Sequence, residues 1–203
     1  MNLGFDVTTA TLENHGTIQF AGNGIAVERF KGSIDNFGTI DIDANTTISG
    51  SGSQNFTLDT REGTIDVAAG VTLTVSQGVG AGTIIVGPNT VWTGPGAIDL
   101  TGVTEILVDG SFNVTADTPH LIFSEDITIA SLTSGDPVTF TVDSGVTVDL
   151  HGATITSDVS VIANGTVYFP ALPNQLSMLD GSDGFVLYGE AANDRAAYAV
   201  QGI

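Results

Sequence analysis

The stretch Gly38-Thr39-Ile40-Asp41-Ile42 decides the fold, because its pattern returns along the chain. Its second and fourth residues are polar and its third and fifth are isoleucines, which is the period of two expected of a β-strand with one buried face. The same pentad recurs at 16–20, 63–67, 82–86 and 96–100. It consists of a Gly, a small residue, an Ile, a variable residue and an apolar residue. The segments between these pentads are rich in Gly, Asn and Ser, which favour turns.

Recurrence of one pentad distinguishes two all-β architectures. A β-sandwich has short strands but gives no reason for the same five residues to return. A β-solenoid does, because each coil stacks its strand on the equivalent strand of the next coil. Four later segments fit as coils with a drifted pentad: 104–108, 127–129, 138–142 and 146–150. We therefore predict an all-β fold, a single-stack parallel β-helix of about eight coils over residues 1–169, with little or no helix.

The inward pentad positions predict a continuous apolar ladder. It consists of Ile18, Phe20, Ile40, Ile42, Ile65, Val67, Ile84, Val86, Ile98 and Leu100. Asn14 and Asn36 each stand two positions before the glycine of a pentad. This spacing suggests a turn in which the glycine adopts a positive φ.

Charge excludes several classes of partner. The 203 residues include 23 acidic and four basic side chains, which gives a formal net charge of −19. Four cations cannot displace the counterions of a phosphate backbone, so we expect no nucleic acid partner. No apolar run is long enough for a membrane helix, so we expect no membrane insertion. The first residues do not resemble a signal peptide, and we expect a signal outside this stretch or a longer parent protein.

The Asn-x-Gly-Thr-Ile coils, with Gly/Ser turns and few basic residues, resemble passenger regions of bacterial autotransporters and filamentous-haemagglutinin-type adhesins over residues 8–168. The resemblance implies a secreted or cell-surface rod within a large bacterial protein. Its expected partners are other surface or extracellular matrix components, glycans among them. Unpaired strands at the two ends also predict end-to-end self-association.

The C-terminal part, residues 170–203, has a different character. Leu179-Asp180-Gly181-Ser182-Asp183-Gly184-Phe185, followed by Asn193-Asp194-Arg195, resembles the start of an FG-GAP repeat, the blade unit of integrin-α-like propellers. The resemblance covers residues 179–203 and omits the calcium loop of that family. We interpret 170–203 as a linker and the truncated start of a further module.

A carbohydrate-active enzyme is the alternative function, because parallel β-helices also host polysaccharide lyases and hydrolases. Such an enzyme needs a groove with two carboxylates and aromatic side chains for sugar stacking. The chain has one tryptophan, Trp92, and three tyrosines. Its histidines do not stand in a Gly-His-Gly signature, and we expect His15 and His151 to be exposed turn residues. We therefore expect no enzyme, and we name no catalytic or cofactor-binding residue.

The acidic pentad positions give the one candidate metal site. If all pentads stack, Asp41, Asp66 and Asp99 project from one solvent face. Like charges one coil apart repel each other, and Ca²⁺ would relieve that repulsion. One carboxylate per coil supplies few of the six to eight oxygens that Ca²⁺ takes, so a solvated acidic face competes with this interpretation.

Overall fold

A computed structural model describes residues 11–22, 28–50, 55–76, 81–124 and 126–169 of the chain. Within these ranges every regular element is a β-strand and every strand pairing is parallel, which confirms the predicted all-β parallel β-helix. The predicted linker and FG-GAP-like start at 170–203 lie outside the described residues.

Twenty-one strands follow one another in the described part, three to a coil. Coils 1 to 4 contain β1 (Thr11–Asn14), β2 (Thr17–Phe20), β3 (Glu28–Lys31), β4 (Ser33–Asn36), β5 (Thr39–Ile42), β6 (Thr46–Ser49), β7 (Phe56–Asp59), β8 (Thr64–Val67), β9 (Thr72–Ser76), β10 (Gly82–Val86), β11 (Val91–Thr93) and β12 (Ala97–Gly102). Coils 5 to 7 contain β13 (Glu105–Val108), β14 (Ser111–Val114), β15 (His120–Ile122), β16 (Thr128–Ser131), β17 (Val138–Val142), β18 (Thr147–Asp149), β19 (Thr154–Ile155), β20 (Val159–Ala163) and β21 (Thr166–Tyr168).

Strands three apart in the chain lie on the same side of the solenoid, which gives it three faces. Face A is one uninterrupted sheet of seven strands, β1-β4-β7-β10-β13-β16-β19. Face B begins with β2, β5, β8 and β11 and continues with the separate sheet β14-β17-β20. Face C begins with β3, β6, β9, β12 and β15 and continues with the pair β18-β21.

The described strands form seven coils, with about six turns from β1 to β19, which is slightly fewer than the roughly eight coils predicted. The difference arises because each drifted pentad was counted as a coil of its own. Three of them, at 127–129, 138–142 and 146–150, fall in β16, β17 and β18, which are the three sides of coil 6. A coil here is a triangle of strands, so several pentads can belong to one turn.

Inward side chains form a continuous apolar core through the coils. All ten residues of the predicted ladder are buried except Ile18, which is partly buried and packs against the same core. In register, Ile40 lies over Ile18, Ile65 over Ile40 and Trp92 over Ile65. The ladder is not a single column, however, because Ile84 and Val86 lie on face A and Ile98 and Leu100 on face C.

A buried asparagine ladder occupies the corner between faces A and B. Asn14 Nδ2 donates to Asn36 Oδ1 at 2.7 Å and to the backbone oxygen of Thr39 at 3.0 Å. Asn36 Nδ2 donates in turn to the backbone oxygen of Thr64 at 3.0 Å. These side chains thus add hydrogen bonds between coils to those that the backbone makes at this corner, and the buried amides have partners.

Close packing, rather than the expected positive φ, explains the glycine that follows Asn36, whereas a Cβ on Gly16 would contact nothing. Among the described residues with positive φ, neither Gly16 nor Gly38 is included. A Cβ on Gly38 would collide with the backbone of Gly16 one coil away, and a Cβ on Gly63 would collide with Asn36. At Gly38 and Gly63 the corner therefore needs glycine, because there is no space for a side chain between the coils.

We predict that Asn36→Ala lowers the free energy of unfolding by about 2 kcal/mol, because it removes the side-chain acceptor of the buried Asn14 amide and the donor to the Thr64 carbonyl. The matched control is Asn89→Ala. Asn89 is exposed and donates only to the exposed Glu62 carboxylate, so its loss costs less than about 0.5 kcal/mol. Chemical denaturation of both variants measures the difference. Equal losses would show that the ladder contributes nothing beyond an exposed amide.

Candidate functional site

The three aspartates proposed from the sequence do not lie together. Asp41 and Asp66 are register partners on face B. Asp99 lies in β12 on face C, where its partners are Thr74 and Ile122. The physical reason is that the fifth pentad stacks on a different face from the first three. Asp99 is therefore not part of the column that Asp41 and Asp66 form.

Asp41 lies in a crowded acidic environment, and no cation of the described residues contributes to its pKa. Gln19 Nε2 donates to Asp41 Oδ2 at 3.1 Å and to Asp43 Oδ2 at 2.9 Å. Partial burial and the nearby carboxylates of Asp43 and Asp66 raise the pKa of Asp41, and the Gln19 hydrogen bond opposes them. Across the described residues, no group of three or more His, Asp or Glu side chains is arranged to hold a metal ion.

We expect CaCl₂ and MgCl₂ at matched ionic strength to raise the melting temperature equally, because two carboxylates supply too few oxygens for Ca²⁺ and both salts screen repulsion alike. Thermal melts in the two salts and in NaCl test this. A larger rise in CaCl₂ that Asp66→Asn abolishes and Asp99→Asn preserves would contradict it, and would place a calcium site at Asp41 and Asp66.

A longer acidic column lies on face A and was missed from the sequence. Glu13 is the register partner of Asp35, and Asp35 is the register partner of Asp59. Each acid stands immediately before a buried polar residue at the corner with face B, namely Asn14, Asn36 and Thr60. The sequence therefore did contain a signal for this column, namely an acidic residue immediately before Asn14, Asn36 and Thr60. These positions lie outside the pentads.

Arg61 neutralises one end of this column. Its guanidinium donates from Nε to Asp59 Oδ1 at 3.1 Å and from Nη2 to Asp59 Oδ2 at 2.7 Å. Its Nη1 donates to Asp109 Oδ2 at 2.9 Å, so the side chain spans from coil 3 to coil 5. Gly87 of coil 4 leaves room for it, because a Cβ there would lie 3.2 Å from Arg61 Cγ. Both carboxylates raise the pKa of Arg61 above its usual value.

Asp35 has no such partner of its own. Partial burial raises the pKa of its carboxyl, the charges on Asp59 and Glu13 raise it further, and Arg61 opposes these effects. A carboxyl that protonates readily therefore lies one coil from a carboxylate held in an ion pair. Enzymes that cleave glycosidic bonds use a pair of this kind, in which one carboxyl is protonated and acts as the acid while the other stays ionised.

The surroundings of this column are open. Its side chains project from the flat outer surface of face A, where the strands stack ~4.8 Å apart. A cavity of about 290 Å³ lies elsewhere, between β15 and β18 on face C, and His120 lies at its rim. His15 and His151 are exposed near corners, as predicted, and the His15 ring stacks on that of Phe37 with centroids 4.9 Å apart.

Comparisons with known proteins add no family to this geometry. A scan against protein-family models found no match, and searches of curated proteins and of solved structures found no similar chain. The resemblances to haemagglutinin-type adhesins and to FG-GAP repeats therefore stay predictions. None of the described segments forms a helix of the length and apolarity needed to cross a membrane.

The raised pKa of Asp35 predicts a pH dependence of stability. Because the folded chain binds this proton more tightly than the unfolded chain does, stability falls as the pH rises through the folded pKa. We expect Asp35→Asn to melt at a higher temperature than the unchanged chain at pH 7, with the difference disappearing as the pH falls below the ordinary pKa of an aspartate. Asp136→Asn, at an exposed turn, is the control. A variant that melts lower than the unchanged chain at pH 7 would contradict this assignment.

Proposed function

We propose that this chain is a non-enzymatic structural or adhesive rod of a large secreted or cell-surface bacterial protein. The observation that carries the proposal is the uninterrupted seven-stranded sheet of face A over a continuous apolar core. Each described coil pairs with its neighbours through a strand on this face. Such a stack resists bending and can be lengthened by adding coils, which suits a spacer.

The outer surface of face A also supports this role. One column of outward positions carries hydroxyl side chains in six of seven coils, with Glu105 in the remaining one; the hydroxyl residues are Thr11, Ser33, Thr57, Thr83, Thr128 and Thr154. Short polar side chains keep a long parallel sheet hydrated. The net charge of −19 keeps copies of the rod apart in solution.

Surface exposure of the parent protein tests the location. Antibodies raised against residues 11–169 would be applied to intact and to permeabilised cells that produce the parent chain. The proposal expects equal labelling of both, and loss of the label when intact cells are treated with a protease. Labelling only after permeabilisation would overturn a surface or secreted location.

A carbohydrate-active enzyme is the second candidate, and the specific observation in its favour is the pair of Asp35 and the ion-paired Asp59. Release of reducing ends from neutral and uronate polysaccharides separates the two functions. The rod proposal expects no release above that of a heat-unfolded sample. Release that Asp35→Asn abolishes and Asp136→Asn preserves would establish the enzyme in its place.

A further inference from the structure

Two junctions of the solenoid are held by two sheets rather than three. In the first three junctions and the last one, strands of all three faces pair across the junction. Between coils 4 and 5, β11 and β14 of face B belong to different sheets. Between coils 5 and 6, β15 and β18 of face C do. All four strands are described, so these are interruptions of the ladder itself.

The first interruption is filled by side chains. Trp92 of β11 and Phe112 of β14 meet edge to face with ring centroids 5.0 Å apart, and both are buried. Phe112 also contacts Phe140 of the next coil, at 5.7 Å. In addition, Gly94 donates its backbone N–H to the carbonyl of Asp117 at 3.0 Å. Aromatic packing thus replaces the missing strand hydrogen bonds.

The second interruption is open. The cavity of about 290 Å³ lies between β15 and β18, at the corner where face B turns into face C. Its upper edge is the turn that begins at Thr115, where the Thr118 hydroxyl accepts the backbone N–H of Thr115 at 2.9 Å. Gly145 and Val146 form its lower edge. No pairing joins the two described strands here, so their edges face the cavity.

The lining of this cavity is apolar at its base and polar at its rim. Val114, Leu121 and Val148 are buried there, whereas His120 and Thr147 are exposed. His120 is the one ionisable residue among the lining residues. The volume is at the lower end of the range for ligand pockets, about 300 to 1,000 Å³, and admits one ring-sized molecule.

We propose that this cavity binds a single neutral hexose unit. The apolar base suits the C–H face of a pyranose ring, and the imidazole and hydroxyl at the rim suit its ring hydroxyls. An anionic sugar is disfavoured, because the lining holds no Lys or Arg and the chain carries a net charge of −19. A permanent cation is disfavoured too, since no carboxylate lines the cavity. Binding of a hexose here would specify the partner of the proposed adhesive rod, and this inference rests on that proposed function.

Saturation-transfer NMR on the full chain tests the site. The probes are methyl glucoside, methyl galactoside and methyl mannoside, with galacturonate and choline as charged comparisons. We expect millimolar binding of at least one neutral glycoside and no signal from the charged probes. His120→Ala and Thr147→Val should each weaken binding about fivefold, which is the effect of one lost hydrogen bond. Both side chains are exposed, and unchanged thermal melts confirm that the variants fold.

His15→Ala is the matched control, because it removes an equally exposed imidazole at another corner. Retained binding in this variant, with weakened binding in His120→Ala, supports the site. The proposal is overturned if no neutral glycoside binds, if only a charged probe binds, or if all variants bind alike. A rod that is exposed on cells but binds no hexose would overturn the site and leave the proposed rod intact.

Discussion

Except between β11 and β14 and between β15 and β18, described strands three positions apart pair in parallel. This pairing is the constraint on which the rest of the structure depends. It places every residue directly over its register partner one coil away, so side chains occur in columns. An inward column must be apolar in every coil, and an outward column must tolerate the same neighbour repeatedly. A substitution in one coil therefore alters the side-chain contacts of the coils on both sides of it.

The corners show how the chain meets this constraint where strands end. At the A–B corner, Asn14 and Asn36 add side-chain hydrogen bonds to the backbone carbonyls of the next coil. Gly63 leaves room for the Asn36 amide, because a Cβ there would collide with it. One coil after Asn36 the same corner holds Arg61, which joins Asp59 to Asp109 across Gly87. One corner thus carries a neutral hydrogen-bonded ladder and then an ion-paired clamp.

The alternation of buried and exposed side chains within a strand could be predicted from the sequence. The face of the solenoid to which each strand belongs could not. The alternation of Thr39, Ile40 and Asp41 decides which side chains are buried, and the buried ladder was predicted correctly on that ground. Which face a strand joins depends on the length of every turn before it. Thr11 and its partner Ser33 are 22 residues apart, whereas Phe56 and Gly82 are 26 apart. Such differences move the Asp99 pentad to face C, which separates it from Asp66. The cavity beside His120 was equally hidden, because a missing strand pair leaves no local signal.

Cysteine crosslinking tests the three-faced coil most directly, and the chain has no native cysteine to interfere. The account predicts that the double variant Asp41→Cys/Asp66→Cys is joined rapidly by a short thiol crosslinker, because these positions are register partners on face B. It predicts no intramolecular crosslink in Asp66→Cys/Asp99→Cys, whose positions lie on different faces. Efficient crosslinking of the second pair, with none of the first, would contradict the coil arrangement and return the three aspartates to one column.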